Sequence, residues 1–161
     1  MAELAGLLPQ HREQLTRGSG IAPEVITARG YRSISPPEGY GQLKALGFSP
    51  AQARNVPGLL LPLWAPDGGG KPAVYIYRPD TPRQVSGRPI KYELPKGASV
   101  RVDSPPRCRP TLADPSIPLW ITEGQKKADA LASHSLCAIA LLGVWAFKGR
   151  NSYGGVAVQA D

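Results

Sequence analysis

No stretch of this sequence approaches the roughly 18 uninterrupted apolar residues that a membrane-spanning helix needs, and its N-terminus lacks a charged start followed by an apolar run. A cytoplasmic chain without a membrane partner is expected. Cysteine and histidine are scarce: Cys108, Cys137, His11 and His134 are all there is. A structural zinc site needs four clustered ligands, so no zinc is expected. Cys137 opens an apolar run and reads as a small core residue, whereas Cys108, in the loop PPRCRP, reads as an exposed free thiol and His11 as a surface residue. A phosphate-cradling loop is missing too. The glycine run Gly68 to Gly70 joins two strand-like runs, precedes no helix and is not followed by Gly-Lys-Ser/Thr. No internal repeat is evident.

Proline and glycine are abundant, at 18 each in 161 residues, which predicts short elements and many loops. Net charge is +7, and it is unevenly placed. Between Lys71 and Arg109 nine basic residues stand against three acids, with Tyr75, Tyr77 and Tyr92 interleaved. A cationic surface carrying aromatic rings suits phosphates and stacked bases. The same composition also suits a solubilising surface whose arginine stems cover apolar neighbours.

From the N-terminus, residues 4–16 predict an amphipathic helix restarted at Pro9, with Leu15 inward. A second helix follows Pro23 and stops at Gly30. Ser33 to Gly41 reads as a connection, and Ser49-Pro50 starts a third short helix. GLLLPLW, Gly58 to Trp64, and AVYIYRP, Ala73 to Pro79, predict a β-hairpin turning at Asp67-Gly68. Pro62 suggests that the first strand lies at an edge or bulges there. Ile90 to Leu94 reads as a third strand, Pro95 to Pro118 as an extended surface connection, and Gly143 to Gly155 as a loop.

Leu119 to Gly143 is the one place where strand, helix and strand follow without interruption. Leu119 to Thr122 and Cys137 to Leu142 read as buried strands, and Gln125 to His134 as a helix with Ala128, Leu131 and Ala132 on its packed face. The strands should be parallel, with chemistry just past their carboxyl ends, where Glu123 stands. Lys126 and Lys127 occupy the first helical turn, against the preference of a helix N-terminus for acids. A site explains this: a carboxylate for metal or proton, a glycine permitting close approach, and two ammonium groups facing a polyanion. A solvated charge cluster at an exposed helix start explains it equally.

Taken in order, GLLLPLWAPDGG, AVYIYRPD, RPIKYELPKGA and LWITEGQKKADAL resemble the catalytic core of bacterial-type primases, in which a basic subdomain leads into a Toprim domain whose first strand ends in Glu-Gly. With SGIAPEVITARGY ahead of them, they resemble more closely the Toprim-like family of unknown function in plasmid and phage replication proteins. The resemblance implies an α/β protein: a helical segment (1–56), a basic antiparallel sheet subdomain (57–110) and the first part of a Toprim-like sheet (111–161). It implies that Glu123 is catalytic and helps hold Mg²⁺, that Gly124 and Gly143 make structural turns, and that Arg78, Arg88, Lys91, Tyr92, Lys96, Lys126 and Lys127 face single-stranded DNA. Lys126, Lys127 and Asp129 match the narrower family only. The sequence departs from the pattern in having no later strand ending in Asp-x-Asp, since Asp161 is the one acid after Asp129. The implied function is the N-terminal part of a mobile-element replication protein that binds single-stranded DNA and contributes to Mg²⁺-dependent nucleotidyl transfer. As it stands the chain is expected neither to polymerise nor to cleave nucleic acid. Two other roles stay open: a non-catalytic module recruiting a replicative helicase or similar protein, and part of a Toprim-type nuclease.

Overall fold

The computed structural model describes residues 4–67, 69–99, 101–143, 148–150 and 153–158. The chain is α/β. Helices α1 (Pro9–Thr16) and α2 (Pro23–Arg29) each carry proline in the first turn, where its missing N–H costs nothing. Helix α2 ends on Gly30 at φ 82°, a left-handed conformation that glycine adopts without strain. Strand β1 (Arg32–Ile34) and helix α3 (Gly39–Ala45) then occupy most of the stretch read from sequence as a connection. Helix α4 (Pro50–Ala53) starts with the expected serine cap: Ser49 Oγ accepts from Gln52 N–H, and Ser49 N–H donates to Gln52 Oε1.

Strands β2 (Gly58–Leu63) and β3 (Val74–Pro79) form the expected hairpin, and β1 joins it antiparallel in the order β1-β2-β3. Every residue of β2 is buried. Leu59, Leu61 and Leu63 face one apolar cluster together with Ile76. Leu60 faces another with Ile34, Leu43, Phe48 and Tyr77. An uninterrupted apolar run is what a strand covered on both faces requires. Strand β2 is therefore central and pairs with β3 in unbroken register, which corrects the edge position or bulge inferred from Pro62. Proline is tolerated because β1 pairs only with Gly58 to Leu60, leaving β2 open beside Pro62 on that side.

Strands β4 (Arg83–Val85) and β5 (Arg88–Ile90) make a small separate hairpin. The strand read as Ile90 to Leu94 ends at Ile90. Beyond it Glu93 alone bridges Tyr77, and its buried carboxylate takes two hydrogen bonds from Arg83, at 2.7 and 2.8 Å. The proline-rich stretch is not confined to the surface. Asp103 exchanges two backbone hydrogen bonds with Ala140, and Asp103, Ser104 and Cys108 are buried. Cys108 is thus a core thiol rather than an exposed one: its Sγ accepts from Ala138 N–H and lies 3.4 Å from Leu136 O, and burial pushes its pKa up. His11 is likewise buried, held between Ser33 Oγ and Asp80 Oδ1 at 2.7 Å each.

Strands β6 (Leu119–Glu123) and β7 (Cys137–Leu141) are parallel and joined by α5 (Gln125–Ser133). Strand β7 is largely buried, as expected. Strand β6 is not: Leu119, Trp120 and Ile121 are 47%, 50% and 65% exposed, because among the described residues β6 has a neighbour on one side only. Strands β8 (Lys148–Arg150), within the region read as loop, and β9 (Val156–Val158), just beyond it, pair antiparallel. Trp145, Phe147 and Asp161 lie outside the described residues. No helix among the described residues is long and apolar enough to cross a membrane. The cluster around Leu59 draws in Leu15 and Val25 from the N-terminal helices and Ala128, Ala138 and Ala140 from the β6-α5-β7 unit, so one core spans residues from all three stretches of the chain.

Candidate functional site

The turn from β6 into α5 is built on Gly124, whose φ of 84° and ψ of 140° cap the helix and whose N–H donates to Leu141 O at 2.8 Å. A side chain there would be strained, although nothing lies close enough to collide with it. This turn presents Glu123 beside a cavity of about 480 Å³ between the β2–β3 hairpin and the start of α5. Leu61, Ile76, Leu94 and Leu142 give it an apolar floor, and Tyr92, Glu123, Lys126 and Lys127 stand around it with Gly124 and Gly143. Gly143, at φ 117°, is part of the lining.

Arg78 sits beside the cavity. Its guanidinium lies 5.9 Å from the Tyr92 ring centroid, within cation–π range, and it is close enough to Lys126 to act on it electrostatically. Lys126 is half-buried, and its pKa is lowered first by that burial and then by Arg78. Glu123 is exposed, and its carboxylate makes no hydrogen bond or ion pair among the described residues. The structure therefore gathers Arg78, Tyr92, Glu123, Gly124, Lys126, Lys127 and Gly143. Arg88, Lys91 and Lys96 are exposed but do not line the cavity.

What holds the cavity's walls in register was not visible in the sequence. Arg29, Asp103 and Asp129 are fully buried, and Tyr31 and Gln125 nearly so. Arg29 Nε and Nη2 donate to the Asp129 carboxylate at 2.7–3.2 Å, and Nη1 donates to Asp103 Oδ1. Tyr31 Oη donates to Asp129 Oδ2 at 2.6 Å, and Gln125 Nε2 to Pro62 O at 2.9 Å. Burial raises the Asp129 pKa, an effect that its bonds from Arg29 and Tyr31 offset only in part. This cluster ties α2, β2, the Asp103 segment and α5 together, so the lysines of α5 hold a fixed relation to the sheet. Asp129 is thus a structural acid, buried behind the cavity wall.

Mg²⁺ takes oxygen ligands in near-octahedral geometry, usually from carboxylates, substrate phosphates and waters. No group of three His, Cys, Asp or Glu among the described residues could hold a metal ion. Glu123 stands there with two lysines and no second carboxylate. The described residues do not by themselves fit a divalent cation.

The architecture is shared with primase catalytic cores. It superposes on the DnaG primase catalytic domain bound to ssDNA with a TM-score of 0.50 at 18% identity, covering 89% of this chain and 49% of that one. The Escherichia coli primase catalytic core gives a TM-score of 0.50 at 16% identity, with 85% and 50% covered. At such identities the likeness is one of fold. Within it, residues 110–157 match a family described as a domain of unknown function, DUF3854. An uncharacterized protein of Picosynechococcus sp. (strain ATCC 27264 / PCC 7002 / PR-6) is 30% identical over 84% of this chain. The chain spans 17% of that relative and about half of the primase cores.

Proposed function

We propose that this chain is the DNA-holding portion of a primase-like replication protein, with single-stranded DNA lying over Arg78, Tyr92, Lys126 and Lys127. The observation that carries this reading is that two lysines and one aromatic ring line a single cavity, with Arg78 beside that ring and acting on Lys126, although they come from β3, the segment after β5, and α5. Cations serve the phosphates of any sequence, and a tyrosine ring serves any base. The primase fold, one example of which binds ssDNA, supports the same reading. Priming for a mobile element, with a helicase as partner, is the cellular role that the sequence resemblance implies. Nucleotidyl transfer with Mg²⁺ at Glu123 would need further oxygen ligands beside that carboxylate, so no catalytic step is assigned to this chain.

The test is fluorescence anisotropy of a labelled oligodeoxythymidine at increasing salt. Three phosphate contacts give a log–log slope of about −2, and each of Arg78→Ala, Lys126→Ala and Lys127→Ala removes about 0.7 from it. Undetectable binding at low salt, or a slope that none of the three variants changes, refutes the proposal.

A further inference from the structure

The phosphate contacts leave half of the cavity unexplained. A strand held by its backbone needs cations at a surface. It has no use for an apolar recess floored by Leu61 and Ile76, which are 2% and 4% exposed, and walled by Leu94 and Leu142. Its volume, about 480 Å³, falls within the roughly 300–1,000 Å³ of sites that enclose a small organic group. Tyr92 at its edge is 47% exposed, and Arg78 lies over its ring. The one buried polar side chain on the lining, Gln125, already donates through Nε2 to Pro62 O at 2.9 Å and to Asp103 Oδ1 at 3.4 Å, so it has no N–H left to give to the edge of a base.

We infer that the recess takes one unstacked nucleobase of the bound strand, set against Leu61, Ile76 and Leu94 beside Tyr92, while Lys126 and Lys127 hold the adjoining phosphates. This rests on the DNA-binding reading and adds a base-accepting subsite to it. Recognition there is by shape and apolar contact, so it accepts any base and discriminates strongly only against a missing one.

The experiment compares an oligodeoxythymidine with a fully abasic strand of the same length, which keeps every phosphate and loses every base. The abasic strand binds the wild-type chain about tenfold more weakly, with an unchanged salt slope. Leu94→Trp, which fills the recess, brings the thymidine strand down to the abasic affinity and leaves abasic binding as it was, and that second result doubles as the control for folding. If Leu94→Trp also loses the abasic strand, the fluorescence of 2-aminopurine in a strand bound to the wild-type chain decides: brighter, blue-shifted emission than in the free strand supports the subsite, and emission unchanged from the free strand overturns it. Equal affinity for both strands, or a base preference that survives filling, overturns the subsite while leaving DNA binding intact. Failure of both strands to bind overturns the DNA reading itself.

Discussion

Replacing Arg29 by methionine tests the buried polar cluster most directly. The guanidinium is fully enclosed and stands between the carboxylates of Asp103 and Asp129, with hydrogen bonds to each. Methionine roughly keeps the side chain's length and removes all of them, which leaves two buried acids without their shared cation. Breaking a buried ion pair from one side costs about 3–5 kcal/mol. Asp103 Oδ2 already has no hydrogen-bond partner among the described residues, which leaves no slack for rearrangement. Domains generally have about 5–15 kcal/mol of stability, so a loss of that size removes a large share of it and brings a domain at the low end of that range to its unfolding midpoint. Trp64 Nε1 keeps its bond to the Arg29 carbonyl, since that group belongs to the backbone.

Urea denaturation followed by tryptophan fluorescence measures the loss, and pH identifies its cause. In Arg29→Met the Asp129 carboxyl, already pushed up by burial, loses the cation that offsets that effect, so it titrates above its unfolded value. Such a group contributes stability that is complete below the unfolded carboxylate pKa and disappears as pH rises through the folded one. The variant's deficit must therefore shrink on acidification. Adding Asp103→Asn and Asp129→Leu removes both orphaned charges and recovers most of the loss at neutral pH. A single variant within about 1 kcal/mol of wild type, or a deficit that grows as pH falls, refutes the reasoning.

Two further outcomes are expected. Gly58→Ala places a methyl group 2.5 Å from Oη of the fully buried Tyr77 and 2.6 Å from the backbone oxygen of Arg78, and lowers stability by about 1–3 kcal/mol in the same urea assay. Lys126 loses its proton below the ordinary lysine value of 10.5, so affinity for single-stranded DNA at constant ionic strength falls as pH rises through that lowered pKa. Lys126→Arg stays protonated and removes that step, and an identical pH profile for the two proteins would contradict the assignment.

Elements set by local chemistry were legible in the sequence. Pro23 and Gly30 bracket α2, Ser49 caps α4 ahead of Pro50, and the runs from Gly58 and Ala73 pair as a hairpin. Glu123, Gly124 and the two lysines were found because strand and helix periodicity meet there. Misreadings arose where a distant partner decides the outcome. His11 is polar and sits on a helix of little amphipathicity, and only Ser33 and Asp80, far along the chain, make its burial tolerable. Arg29 and Asp129 are a hundred residues apart and meet through the fold. Strand β1 is three residues long and has no period to read. The cavity floor was within reach: Leu59, Leu61 and Leu63 alternate with Leu60 along β2, and that alternation assigns Leu61 to the face of α5.

The insertion of Asp103 and Cys108 between the hairpin sheet and β7 decides how this protein comes apart. A protease nicking the proline-rich stretch would not release two tidy halves, since each fragment would carry away one side of a joint interior and leave the other raw. Anyone preparing the basic sheet or the Glu123 strand by itself should plan for inclusion bodies and keep residues 4 to 143 in one piece.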